Sequence, residues 1–427
     1  MTYAEAVARI LALRGGERVG MRPGRERIEA MLAAIGHPER AFTIAQVGGT
    51  NGKGSISALL AAVLQATGRR VGLYTSPHLC HYRERIRVDG RPISEADFVD
   101  GVDALGTLIT RLDLTVFEAG TALALDHFCR ERVEVAVLEV GLGGRLDATT
   151  VGEPRVTVLG PIDYDHQHEL GDTLTLIAAE KAAIIRSGVA FSARQDPEAE
   201  VVVARRAAET GVALVVEGRD LRVTPLGFTL EAQRMHLEGP GWRLADVECG
   251  LLGVYQPGNA LLAAAAAREL GAEETAIRAG LRGARWPGRF QILRRDPLVI
   301  LDGAHNPAGA RALAASLRAY FPGRRVTFVI GVMADKDARG ILDALRPLAA
   351  RFILTAAANP RAAAPEVLRA LLPDAEVAPS PREALAAAVA ESPGGLVCVA
   401  GSLSLVGDVL TAAGDGQDVL FTAGARC

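Results

Sequence analysis

The chain has 427 residues, 49% of them apolar, and a formal net charge of −3. That length exceeds one ordinary core and predicts two domains. The charge is balanced, with no long run of one sign, so neither nucleic acid nor a polybasic membrane contact is an expected partner.

Met1 to Leu13 mixes Glu5 and Arg9 into an amphipathic pattern and lacks a signal-peptide core. No stretch approaches the roughly 18 apolar residues of a membrane span. The expectation is a cytoplasmic monomer. Cys80, Cys129, Cys249, Cys398 and Cys427 are scattered and form no C-x-x-C pair, as for reduced thiols. Of the 47 basic residues only three are lysines: Lys53, Lys181 and Lys336. Against so strong an arginine bias, lysine is expected where a guanidinium cannot substitute.

In chain order, the pattern predicts a helix over 26–35, stopped by Gly36 and Pro38, then a strand over 43–47. A glycine-rich turn leads into a helix over 54–67. Strands follow at 70–74, 133–140 and 156–159. A helix is expected over 173–185, with Asp172 as its cap. Strand and helix alternate here, which favours a parallel sheet covered on both faces. The pieces 212–217 and 228–237 read as an appended small sheet. A helix resumes at 258–270, and Arg285-Trp286-Pro287-Gly288-Arg289 reads as a linker. A second alternation follows, with strands at 298–301, 325–332, 351–354 and 396–400 and a helix at 308–320. The expected fold is α/β: a P-loop ATPase domain over 1–287 and a smaller Rossmann-like domain over 288–427. Its last residues, 414–427, read as a loosely held tail.

The strongest signal is Gly48-Gly49-Thr50-Asn51-Gly52-Lys53-Gly54-Ser55 between a strand and a helix. Glycines let backbone N–H groups turn toward phosphate, and the helix start adds its positive end. Lys53 would meet the β/γ-phosphate oxygens, and a hydroxyl beyond it would bind Mg²⁺. The loop is a variant: Val47 stands where the common pattern has glycine, and Gly54 separates Lys53 from Ser55. Glu139 closes a predicted strand at the mouth of the sheet, where it can reach a phosphate-bridging metal. His166, in Asp163-Tyr164-Asp165-His166, is a candidate metal ligand. A buried neutral amine at Lys181 could take up CO₂ and become an anionic carbamate. Spacing alone favours a surface pair between Lys181 and Glu180.

Several further motifs occur in order: Thr75-Ser-Pro-His-Leu79, Arg83-Glu-Arg-Ile-Arg87, Glu139-Val-Gly-Leu-Gly-Gly-Arg-Leu-Asp-Ala148, Glu180-Lys181, Trp286-Pro-Gly-Arg289 and Leu301-Asp-Gly-Ala-His-Asn-Pro307. With the phosphate loop they resemble the folylpolyglutamate synthase/dihydrofolate synthase family, a branch of the Mur-ligase-like enzymes. The resemblance runs from about Arg25 to beyond Lys336. It implies ligation of L-glutamate to dihydropteroate or tetrahydrofolate through an acyl phosphate, with ATP and two Mg²⁺. It also implies roles for particular residues. Thr50, Asn51, Gly52, Lys53, Gly54 and Ser55 would cradle ATP, joined by Asn259, Arg289, Asp302 and His305. Ser55, Ser76 and Glu139 would hold one metal, and Glu139, His166 and N-carboxylated Lys181 the other. Lys53, Lys181, His166 and His305 would serve the chemistry. Phe117, Glu118, Leu146 and Asp147 would hold the pteroate. Tyr255 stands where the family usually has His, Ala183 replaces the usual Gly, and the segment Leu159 to Tyr164 is atypical. Lys336 is expected either at the surface or on glutamate or phosphate. Two alternatives are a ligase acting on a UDP-linked muropeptide, and a nucleotide-binding protein without ligase activity.

Overall fold

The computed structural model describes residues 1–13 and 24–414; the expected tail beyond Gly414 lies outside them. Eight strands form the first sheet: β1 (Thr43–Gly48), β2 (Val71–Tyr74), β3 (Ile86–Val88), β4 (Arg91–Pro92), β5 (Val135–Glu139), β6 (Pro154–Leu159), β7 (Val189–Ser192) and β8 (Ala213–Val216). Their spatial order is β4-β3-β2-β5-β1-β6-β7-β8. The six strands from β2 to β8 in that order run parallel, and β3 and β4 add an antiparallel edge. β1 from Ile44 onward and all of β5 are buried, and they are mainly apolar apart from Gln46 and Glu139, as a parallel strand under two helix layers favours.

On one face the helix Lys53–Ala66 packs with Gln256–Glu269 and Glu274–Gly283. Gln256–Glu269 is alanine-rich because it is enclosed nearly all round: Ala260 to Ala267 are buried without exception. Small side chains let it lie close to its neighbours. On the other face Glu95–Arg111 and Val116–Arg130 cover β2 and β5. No helix among the described residues is long and apolar enough to cross a membrane.

Three expectations need correction. Ala213–Val216 is not part of a small sheet; it pairs in parallel with β7 as the edge of the main one. The small sheet consists of β9 (Arg222–Phe228), β10 (Gln233–Gly239) and β11 (Trp242–Cys249), all antiparallel. The predicted strand 228–237 therefore straddles a turn, in which the Thr229 hydroxyl accepts the N–H groups of Glu231 and Ala232. Finally, Thr173 rather than Asp172 caps the next helix, accepting from Leu176 N at 3.2 Å. That helix, Leu174–Ala182, stops short of Ile185 because Ile184 and Ile185 donate to carbonyls three residues back.

The second sheet holds β12 (Gln291–Arg295), β13 (Leu298–Leu301), β14 (Val326–Ile330), β15 (Ala349–Leu354), β16 (Glu376–Val377) and β17 (Leu396–Ala400). Its order is β12-β13-β17-β14-β15-β16, parallel except for the β12–β13 hairpin. The connector around Trp286 to Arg289 is tied down: Gly303 N donates to Gly288 O at 2.8 Å. Leu79, from the loop after β2, packs into the core of the second sheet beside Val406. Its carbonyl lies where a side chain at Gly407 would sit. On the opposite side of the seam, Phe228 stacks on Tyr320 with ring centroids 3.9 Å apart, and Ser316 Oγ accepts from Val254 N at 3.1 Å.

Gly280 lies where its helix crosses Lys53–Ala66, and an added Cβ would stand 2.3 Å from Val63 Cα. Alanine in a helix interior ordinarily stabilises by about 0.5–1 kcal/mol relative to glycine. Here the obstacle is backbone, so Gly280→Ala is expected to destabilise by about 1–3 kcal/mol in urea unfolding.

Candidate active site

The phosphate loop leaves β1 at Gly48. Gly49 and Gly52 adopt φ of 127° and 82°, a region closed to most side chains. Gly49 also abuts the backbone of Gly160. The atypical segment after β6 is thus the loop's support. Pro161 O accepts from Thr50 N and Asn51 N, and the Thr50 hydroxyl donates to Asp163 O at 2.9 Å. Gln195 fixes the segment from behind, accepting from Ile162 N and donating to Gly160 O.

Lys53 begins its helix and its ammonium donates to Thr50 O at 3.1 Å. Burial lowers its pKa, and Glu139 opposes that shift. Ser55 is buried, and its Oγ accepts from Gln256 Nε2 at 3.2 Å; Asn259 in turn donates to Gln256 Oε1 at 2.9 Å. Glu139 ends β5, also buried, with Ser76 N donating to its Oε2 at 3.1 Å. Burial pushes its pKa up to about 7, against the pull of Lys53. Ser76 and Glu139 therefore face one region, while the Ser55 hydroxyl is engaged by Gln256. An open cleft there is lined by Ser76, His78, Arg87, Glu139, Trp286 and Arg289, among others.

Lys181 is not at the surface. It is 3% exposed, and its Nζ donates to Gly49 O at 3.2 Å. Glu180 pairs instead with Arg145 at 2.9 Å. Burial and then the Lys53 charge lower the Lys181 pKa to about 7, so a neutral amine is accessible near physiological pH. His166 sits in the left-handed region at φ 51°, which turns the chain into the short helix Gln167–Leu170.

From the second sheet, Lys336 enters the same mouth. Its side chain is 8% exposed, which rules out the surface reading. Its Nζ lies 2.5 Å from Asp165 Oδ1 and 3.2 Å from His166 Nε2. Asp165 Oδ2 accepts from Asn306 Nδ2 at 2.9 Å, and His305 Nε2 stands 3.7 Å away. Asn306 also bridges to Asn51 Oδ1 at 3.1 Å. Burial lowers both His166 and His305 to about 4, leaving them neutral at pH 7. Asp165 and Asn306 were not singled out as site residues from sequence. Both lie inside quoted motifs, which was the only signal available. Among the described residues no three His, Cys, Asp or Glu side chains form a ready metal cluster. A cation here would rest on Glu139 with hydroxyls, one imidazole and a modified amine.

The residues expected to hold a pteroate divide. Phe117 covers Gly141, at the start of the loop that carries Leu146 and Asp147. Asp147 is buried and accepts from Leu142 N, Thr149 N and the Thr149 hydroxyl, which shapes that loop. Glu118 is buried beneath it, engaged by Arg27 at 2.9 Å and by Thr115 N at 2.8 Å. Asp302 is buried and accepts from Phe290 N, Ala304 N and the Tyr255 hydroxyl.

His78 accepts from Arg85 Nε at 2.8 Å, and burial and that guanidinium lower its pKa to about 3. A base held neutral in this way contributes stability that is full above its unfolded pKa of about 6.5 and is lost as pH falls toward 3. His78→Gln should flatten the fall in thermal stability between pH 6.5 and 4. At pH 4.5 wild type should have lost about 1–2 kcal/mol more than the variant, relative to pH 7.5.

Residues 47–267 match the Mur ligase middle domain family, and residues 288–403 match the Mur ligase, glutamate ligase domain family. The folylpolyglutamate synthase of Lacticaseibacillus casei is 36% identical over 424 residues, 96% of this chain and 98% of that protein. The dihydrofolate synthase/folylpolyglutamate synthase of Mycobacterium tuberculosis is 36% identical over 375 residues, 81% of this chain and 77% of that one. A crystal structure of Mycobacterium tuberculosis folylpolyglutamate synthase complexed with ADP and AMPPCP superposes with a TM-score of 0.89 at 32% identity. The match covers 95% of this chain and 98% of that chain.

Proposed function

The chain belongs to the folylpolyglutamate synthase/dihydrofolate synthase family of ATP-dependent glutamate ligases, and we propose that the cleft between its two sheets carries out that reaction with the residues gathered there. The observation that carries the reading is convergence. Lys53, Glu139, Asp165, Lys181 and Lys336 come from five separate segments and interact electrostatically at one mouth.

ATP lies with its phosphates on the loop Thr50 to Ser55 and its nucleoside toward Asn259, Arg289, Asp302 and His305. The substrate carboxylate attacks the γ-phosphorus, the bond to the ADP oxygen breaks, and an acyl phosphate forms. The glutamate amine then adds to that carbonyl, and phosphate leaves as the amide forms. Little covalent work falls to the protein, whose part is alignment and charge neutralisation. Lys53 meets the transferring phosphoryl group. Lys336 and Asp165, from opposite sides of the cleft, fix the distance between the sheets when it is shut. A pteroate fits beside Phe117 and the 141–147 loop. Dihydropteroate and tetrahydrofolate are both proposed acceptors.

For Mg²⁺, Ser55, Ser76 and Glu139 suit one ion, and Glu139, His166 and N-carboxylated Lys181 the other. The fit rests on the buried Glu139 carboxylate, held by a backbone N–H, and on the buried Lys181 amine. When bound, these ions neutralise charge on the β- and γ-phosphates. Domains over 1–287 and 288–427 are the division we adopt, consistent with a tied connector at Gly288 and with two separate sheets. A monomer in the cytoplasm is the simplest setting for these substrates.

Phosphate release from ATP is expected to require glutamate together with dihydropteroate or tetrahydrofolate. Turnover that needs neither acceptor nor glutamate would overturn the proposal, and parallel assays with the two acceptors assign the step. Lys181→Ala should lose ligation at least as severely as the roughly 10–100-fold typical of losing a metal ligand's support. Short carboxylates such as acetate or formate should restore part of it. Full activity in that variant would remove the carbamate from the mechanism.

A further inference from the structure

Tyr255 immediately precedes the helix Gln256–Glu269, at the seam between the two sheets. Its hydroxyl crosses that seam and donates to Asp302 Oδ2 at 2.8 Å. Asp302 follows β13 in the second sheet. Phe290 N, just past the connector, donates to the same oxygen at 2.9 Å, and Ala304 N donates to Oδ1 at 2.8 Å. Of the three donors only Tyr255 comes from the N-terminal side of the connector. The neighbouring residue points the other way: Gln256 donates to the Ser55 hydroxyl of the phosphate loop. Two consecutive side chains at one helix start therefore grip the two walls of the cleft. The tyrosine ring has room because Gly253, at φ 108°, would otherwise place a Cβ 2.9 Å from its Cε1.

We propose that Tyr255 is a positioning residue: by holding Asp302 across the seam it orients that carboxylate toward the nucleotide and ties nucleotide capture to closure of the cleft. This rests on the reading of Asp302 as a nucleotide contact. Removing the hydroxyl leaves the ring packing and the two backbone donors in place. The loss falls on ATP binding rather than on the chemical step, because the acyl transfer takes place at the far end of the triphosphate.

The test is steady-state kinetics on the full chain with Tyr255→Phe, Asp302→Ala and the double variant. Tyr255→Phe should raise KM for ATP about five- to tenfold, the scale of one ordinary intramolecular hydrogen bond. Its kcat and its KM for glutamate should stay within twofold. Asp302→Ala should raise KM for ATP at least as much, and the double variant should match Asp302→Ala alone. An unchanged KM for ATP in Asp302→Ala would remove Asp302 from the nucleotide site. An impaired Asp302→Ala beside a wild-type Tyr255→Phe, or losses that simply add in the double variant, would overturn the positioning role while leaving that site intact. A thermal shift in Tyr255→Phe without a change in KM would mark the contact as structural only and likewise overturn it.

Discussion

Asp165 and Lys336 meet across the cleft with side chains only 7% and 8% exposed. Two charges so far from water are costly unless their remaining hydrogen-bonding capacity is used. Asp165 meets that condition. Its Oδ1 also accepts from His166 N, and its Oδ2 from Asn306. The pair contributes less to stability than to alignment, since it forms only when loops of both sheets stand at one separation. Around it the phosphate loop, the buried Glu139 and Lys181 find their places. Asp165 and Asn306 join the two walls, and the Pro161 segment supports the phosphate loop.

That arrangement follows from the parallel sheets. The C-terminal ends of β1, β5 and β6 deliver the phosphate loop, Glu139 and the Asp165 segment to one edge. In the second sheet, the segments following β13 and β14 deliver Asp302, Asn306 and Lys336. An ATP-dependent ligase needs a rigid cradle for the phosphates and a second wall that can approach it. Two open sheets facing each other at their carboxyl ends supply both.

The local parts of this site were legible in the sequence. The phosphate loop is a contiguous string whose glycines, lysine and hydroxyl each answer a separate demand of a triphosphate. β5 was legible because Val135 to Leu138, buried on both faces, form an apolar run. The burial of Lys181 was not legible from spacing, since its neighbour Glu180 offered a ready partner; only the tertiary fold shows Arg145 taking that carboxylate. The Asp165–Lys336 contact joins residues 171 positions apart and leaves no periodic trace. β12 escaped notice because Gln291 to Arg295 ends in two exposed arginines, as an edge strand tolerates. β8 was found but placed in the wrong sheet, because alternation reports a strand's faces and not its neighbours.

The scarcity of lysine has a practical corollary. Lys53 donates to Thr50 O, Lys181 to Gly49 O and Lys336 reaches Asp165, so every ε-amine in the sequence is sequestered around one mouth. An acylating or alkylating reagent that targets amines would meet no lysine on the outer surface. Its incorporation into side chains would therefore gauge how often the two walls part, and a bound triphosphate would shield the same three nitrogens at once. Amine labelling of this protein's side chains is, by composition and fold together, a measurement of its cleft.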